Sequence, residues 1–315
     1  MGNKTRVGRM TTVSAVICTK DRVREPIECI KSIIGQSVSV TEIIVVDASN
    51  SDRLYSRLKK EFPRITYIRS ARSNLSKDRN KAISRSSGDI ILFLDDDTVL
   101  DKDYAKRIIE VFETDRESRI GGVTGKIVNI EKPTTIPQKI RANLYQAVRR
   151  IFLLQSLGNG RFKPSGFQTF IDDAHEVRPV ESLSGCNMAF RKEVLIQFTF
   201  DEADYMGGWM DDVDIAYRVS RKYQNIYTPY AKIIHNLATT GSASSRLTPA
   251  YRRAKKTMVS RYYLFKKNFP QTTKNILAFW WSVVGTLLQA LMTRQPAYIK
   301  GVIDGVRATR YVRIP

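Results

Sequence analysis

Cysteine, histidine and acidic residues are all scarce in this chain, and each shortage narrows what it can be. The three cysteines, Cys18, Cys29 and Cys186, show no metal-ligand spacing, so no zinc site is expected and their odd number fits a reducing compartment. Histidine occurs twice, as His175 and His235. Aspartate and glutamate number 31 against 52 lysines and arginines, a formal net charge of +21. Such an excess calls for an anionic partner: nucleic acid, a phosphorylated small molecule or an anionic membrane surface. Helix-turn-helix signatures and RNA-stacking aromatics are missing, which speaks against nucleic acid. Missing too are the glycine-rich phosphate loops of dinucleotide-binding and kinase folds. Residues 1–10 are basic without an apolar core, so no secretory signal is expected and the protein is placed on the cytoplasmic side. No internal repeat or low-complexity tract is present.

Against these absences stand ordinary shares of apolar and charged residues, 42% and 26%, in a chain long enough for one large domain or two. Over residues 13–100, strand and helix patterns alternate. Residues 13–18, 43–47, 65–68 and 90–94 are short apolar runs that read as strands. Residues 24–34, 54–62 and 77–86 read as helices, with Pro26 suited to a first turn. This order predicts right-handed βαβ units and a mainly parallel sheet flanked by helices. Ligands of open α/β sheets bind at the C-terminal ends of the strands, so Thr19, Asp21, Asp47, Asp95 and Asp97 are expected along one edge.

The sharpest signal lies in residues 90–97, where five apolar residues run into Asp95, Asp96 and Asp97. Clustered carboxylates repel one another unless a cation neutralises them. Hard oxygen ligands suit Mg²⁺ or Mn²⁺, commonly shared with substrate phosphates, so a metal-bound diphosphate is the expected ligand. A solvated acidic turn capping the next helix is the rival reading. A second cluster, Asp211, Asp212 and Asp214, follows Gly207, Gly208 and Trp209 at a helix start. The helix dipole alone would account for it. Alternatively, a carboxylate there takes the proton of a sugar hydroxyl while Trp209 stacks on a sugar face. Gly185, in a small-residue turn before Asn187 and a strand, permits close backbone approach to a ligand, although a structural turn is its default reading. His235 ends an apolar strand, where a histidine is more often structural than a ligand.

Towards the C-terminus the pattern changes. Residues 140–151 form an apolar helical stripe flanked by Lys139, Arg141, Arg149 and Arg150, and residues 158–179 form a long loop of functional character. Residues 251–269 form a basic amphipathic helix. Residues 276–292 are apolar and uncharged, near the minimum of about 17 residues for a spanning helix. Ser282, Thr286, Gln289 and Thr293 share one narrow face of it. That stripe argues against a lone lipid-exposed span and leaves interfacial, buried and spanning readings open.

The ordered set Thr19-Lys20-Asp21-Arg22, Ile44-Val45-Val46-Asp47, Asn74 to Asn80, Leu94-Asp95-Asp96-Asp97, Gly185-Cys186-Asn187 and Asp211-Asp212-Val213-Asp214 resembles the family 2 glycosyltransferases of the GT-A fold. The resemblance implies a nucleotide-sugar donor, a divalent cation (Mg²⁺ or Mn²⁺) and inversion at the anomeric carbon. It implies a GT-A domain over residues 11–240, with a nucleotide-binding half (11–100) and an acceptor half (101–240). Residues 249–315 are then a helical, membrane-proximal extension. Thr19, Asp21, Asp47, Arg79, Asp95 and Asp96 match donor-side positions, Asp47 at the base and Arg79 at the diphosphate. Asp97, Asp95 and His235 match metal-side positions. Asp212 matches the general base, within a pair where Asp211 replaces a more frequent glutamate. Gly185, Asn187 and Trp209 fall to the acceptor. The expected enzyme transfers sugar to a glycan or polyprenyl-linked acceptor, held peripherally at the inner membrane face by basic helices. A nucleic-acid-binding protein and a catalytically inactive GT-A scaffold are the competing hypotheses.

Overall fold

The computed structural model of the protein describes residues 10–71, 74–130, 135–155, 157–171, 174–206, 209–236, 249–292 and 294–314. The first half alternates β1 (Val13–Thr19), α1 (Arg24–Ile34), β2 (Glu42–Asp47), α2 (Arg53–Glu61), β3 (Thr66–Arg69), α3 (Leu75–Arg85) and β4 (Ile90–Asp95). It continues through β5 (Thr98–Leu100), α4 (Tyr104–Glu113), β6 (Ile120–Ile127), α5 (Ile136–Ile151), β7 (Leu157–Gly158), β8 (Phe170–Ile171) and β9 (Arg178–Val180). Then follow β10 (Asn187–Arg191), α6 (Lys192–Gln197), α7 (Asp211–Ser220), β11 (Gln224–His235), α8 (Ala250–Asn268), α9 (Thr273–Met292) and α10 (Pro296–Ala308).

Nine strands form the central sheet, in the order β3-β2-β1-β4-β10-β6-β11-β5, with β9 beside β11. β1 to β4 are mutually parallel, and β6 and β11 run the same way. β10 is antiparallel to both β4 and β6, and β5 and β9 are antiparallel to β11. The sheet is thus mostly parallel, as the βαβ pattern predicts.

Period-two alternation divides each strand between two cores. Ala15, Ile17, Val45, Leu92 and Leu94 face α1, α2 and α4 through Ile30, Leu58 and Ile108. Val16, Ile44, Val46, Ile91 and Phe93 face α3, α6 and α7 through Ala82, Leu195 and Ile215. A third cluster joins Val213 and Tyr217 of α7 to Met258, Phe265, Phe279 and Val302 of α8, α9 and α10. Helix α7 is therefore held from both sides, by the sheet and by the C-terminal helices.

β2 lies on one side of β1 and β4 on the other, so the chain reverses direction across the sheet between β1 and β4. The crevice at their C-terminal ends is where such a sheet binds ligands. Register brings Thr19 level with Asp47, and Cys18 level with Asp95.

Candidate active site

At that crevice the acidic triplet divides. Asp97 Oδ1 lies 3.0 Å from His235 Nε2, and Asp95 Oδ2 lies 3.9 Å from it. Potential ligand atoms of all three residues fall within 4.8 Å of one another. Two carboxylates and an imidazole are a donor set that fits Mn²⁺ or Mg²⁺. β11 delivers His235 here because it pairs with β5, directly after the triplet. Burial lowers the His235 pKa, but hydrogen bonds with Asp97 and Cys186 outweigh it and push it up to about 11.

Asp96 turns the other way, into the end of β1. It accepts from Thr19 Oγ1 at 2.5 Å and from the Arg22 guanidinium, which also lies 3.5 Å from Asp97 Oδ2. Burial raises Asp96 to about 7 even though Arg22 and Thr19 oppose it. Capping is not the triplet's task, since the next helix, α4, begins after Asp103.

Asp47 is fully buried at the end of β2. Its Oδ1 accepts from the Ser49 amide at 2.8 Å and from the Ser49 hydroxyl, and its Oδ2 accepts from Tyr67 Oη at 2.9 Å. Ser49 Oγ in turn accepts from the Asp21 amide at 2.7 Å, with Asp21 at a left-handed φ of 55°. The exposed Asp21 side chain thus stands on a strained turn tied to the Asp47 pocket.

Arg79, buried on α3, joins the two acidic clusters. Its Nη1 donates to Asp211 Oδ2 at 2.7 Å and its Nη2 to the Gly185 carbonyl at 3.0 Å, with Asp95 Oδ1 3.7 Å away. Phe93 and Phe200 flank the guanidinium at 5.9 and 5.2 Å from their ring centroids.

Asp212 Oδ2 accepts from the Gly185 amide at 3.0 Å. Burial first, then the charge of Asp211, raise its pKa to about 6 against the pull of Arg79. Asp214 faces away from the crevice and accepts from Arg218, from Lys267 at 2.9 Å and from Asn268 at 2.7 Å. Each acid at the start of α7 thus has its own partner, while the helix N-cap, Met210, makes no side-chain capping bond. Trp209 is half-buried beside them, with the Lys256 ammonium 5.8 Å from its ring centroid. Gly207 and Gly208 lie outside the described residues.

Asn187 corrects the acceptor-side expectation. It is fully buried between β6 and β10, where its Oδ1 accepts from Tyr104 Oη at 2.9 Å and the Gly125 amide at 2.6 Å. Its Nδ2 donates back to the Gly125 carbonyl at 3.1 Å. That amide stitches strands together and does not reach the crevice. Gly185, two residues earlier, does. Ser49 and Tyr67 complete the Asp47 pocket without any sequence motif that singles them out, and Arg22, within the matched Thr19-Arg22 segment, has an ion-pair role that the motif does not reveal.

The profile of glycosyl transferase family 2 matches residues 14–198, more than half of the chain. The chain belongs to glycosyl transferase family 2. Among curated relatives, the glucosyl-dolichyl phosphate glucuronosyltransferase of Haloferax volcanii is 22% identical over 134 residues, 40% of this chain and 42% of that protein. Glycosyltransferase GlyA of Streptococcus pneumoniae is 31% identical over 110 residues, 32% of this chain and 15% of that protein. The match thus spans less than half of these relatives' length. Among solved structures, the mannosyltransferase PcManGT from Pyrobaculum calidifontis, in complex with GDP-Man and Mn²⁺, superposes with a TM-score of 0.59 at 15% identity, over 96% of this chain and 88% of that one. TarS of S. aureus gives 0.56 at 14% identity, over 94% of this chain and 49% of that one. The fold of this family 2 member is accordingly GT-A.

Proposed function

We propose that the protein is an inverting glycosyltransferase. It moves a sugar from a nucleoside-diphosphate sugar to a hydroxyl of a glycan or polyprenyl-linked acceptor at the cytoplasmic membrane face. The observation that carries this reading is the Arg79 bridge, which holds Asp95, Asp211 and the Gly185 turn around one crevice. The PcManGT complex with GDP-Man and Mn²⁺ and the dolichyl-phosphate relative support the donor, cation and lipid-linked acceptor.

Thr19, Asp21 and Asp47 receive the nucleoside, with Asp47 at the base. Asp96, secured by Thr19 and Arg22, sets the turn that presents its two neighbours. Asp95, Asp97 and His235 would hold the divalent cation, which would supply positive charge beside the leaving diphosphate. Arg79 adds a fixed positive charge on the same side.

Asp212 is the general base. Its raised pKa suits a group that must take a proton from a neutral hydroxyl, and the Gly185 amide fixes which oxygen remains to do so. The acceptor oxygen enters opposite the leaving diphosphate, so configuration inverts. One base suffices, unlike the carboxylate pair of retaining hydrolases. Trp209 and the Gly185 turn face the acceptor. Functionally, residues 11–100 serve the donor, 101–240 the acceptor, and 249–315 the membrane.

A thermal-shift panel of nucleotide sugars with Mn²⁺ or Mg²⁺ tests the reading, since a true donor stabilises the native state by mass action. One nucleotide sugar should raise the melting temperature only when the cation is present. No response to any nucleoside diphosphate would favour the inactive scaffold instead.

A further inference from the structure

Surface helices ordinarily turn polar residues outward, and α9 does the opposite. Its polar stripe faces the protein: Ser282 Oγ accepts from Arg261 Nη2 of α8 at 2.8 Å, Thr286 Oγ1 donates to the Ser282 carbonyl at 2.9 Å, and Gln289 bonds Tyr145 of α5. Outward, at i, i+4, i+7, i+11 and i+14, stand Leu277, Trp281, Val284, Leu288 and Leu291, with Leu277 and Leu291 65% and 57% exposed. This row carries no charge over about four turns of helix. Trp281 donates its Nε1–H to the Ile151 carbonyl at 2.8 Å and stacks on Phe152, which sets exposed Ile151 beside the row. Only 28% of the apolar window of α9 is buried within the protein.

Three occupants compete for this face. A second copy of the chain would bring one net charge of +21 against another, which disfavours pairing. Crossing a bilayer would drag α8 along, because Arg261 bonds Ser282 and Phe265 stacks on Phe279 at 4.7 Å. α8 carries Lys255, Lys256, Lys266 and Lys267, and such charges are costly in hydrocarbon. An anionic bilayer surface satisfies both the apolar row and the positive charge. Exposed Lys274 and Arg294 stand at the two ends of the row, where headgroup phosphates would meet them.

We propose that α9 lies in the plane of an anionic bilayer, its outer row immersed to the acyl boundary and its polar stripe still packed on α5 and α8. This deepens the proposed function by giving the enzyme its orientation. It rests on that reading only for the purpose served, since the binding needs no sugar transfer.

The test uses the full chain and vesicles of phosphatidylcholine with or without phosphatidylglycerol. The wild type should float with the anionic vesicles and lose much of that binding in high salt. The combined variant Leu277→Glu, Leu288→Glu, Leu291→Glu should bind about a hundredfold more weakly or less, with its melting temperature unchanged. Should that variant not fold, quenching of the wild-type tryptophans by brominated lipids decides. Trp281 sits mid-helix, so an in-plane helix is quenched by bromines near the headgroups and a spanning one by bromines at the bilayer centre. Absent flotation, flotation indifferent to the three glutamates, deep quenching, or a vesicle-free dimer that the glutamates split would each overturn the proposal. Failure of the enzymatic reading is seen separately, as no nucleotide-sugar thermal shift in a protein that still floats.

Discussion

Gly185 and Asp212 are in direct contact: the glycine amide donates to the carboxylate at 3.0 Å, and a Cβ on that glycine would meet the same oxygen at 2.7 Å. Only a residue without a side chain lets the turn before β10 support the acid of α7 from that side. Gly185→Ala should therefore push Asp212 aside and lower kcat by about tenfold to a hundredfold, since such displacements spoil attack geometry. Donor affinity, read by thermal shift, should stay within a factor of two or so of wild type.

Removing the base separates chemistry from binding. Asp212→Asn should lower kcat by about a hundredfold to ten-thousandfold while nucleotide-sugar affinity is retained. Full activity in Asp212→Asn would eliminate the assigned base.

The pH dependence has a definite sign. Burial and the charge of Asp211 raise Asp212 to about 6, so below that pH it holds a proton and cannot accept one. kcat should fall about tenfold per pH unit on the acid side and level off above it. Asp211→Asn removes the like charge and should move the acid limb to lower pH, measured as log kcat against pH.

Asp97→Ala removes one of three donors at the cation site. Mn²⁺ affinity, followed by calorimetry, should drop by at least about a hundredfold, more than loss of an outer partner costs. Cation-dependent thermal shifts by nucleotide sugars should vanish with it. An unaltered Mn²⁺ isotherm would place the cation elsewhere.

Lys267 spans Asp201 and the fully buried Asp214, tying α8 to the helix that carries Asp212. Lys267→Met leaves the buried Asp214 and the partly buried Asp201 short of a partner and should cost about 3–5 kcal/mol in denaturant unfolding. Asp214 retains Arg218 and Asn268, which keeps the loss toward the lower end.

β1, β2 and β4 are legible in sequence because strands buried on both faces are continuous apolar runs, here ending on Thr19, Asp47 and Asp95, whereas β3 is a partly exposed edge strand. Asp95, Asp97 and His235 could be grouped only through the resemblance, since pairing of β11 with β5 is not a local property. Arg22 lies in the matched Thr19-Arg22 segment, but nothing local assigns it to Asp96, 74 residues away. Asn187 misled because position after Gly185 says nothing of its side-chain direction, which strand pairing with β6 fixes inward. The polar stripe of α9 was visible as a period, but period alone does not say which side meets the protein.

β10 enters the sheet against the sense of both neighbours, so it begins at the edge where β4 ends. A strand inserted backwards offers its leading turn, and whatever loop precedes it, to a crevice whose opposite wall is built by forward strands. If the proposed function holds, the two substrates meet separate stretches of chain. Under the proposed function, exchanging residues 158–183 should change acceptor preference and leave nucleotide affinity unaltered.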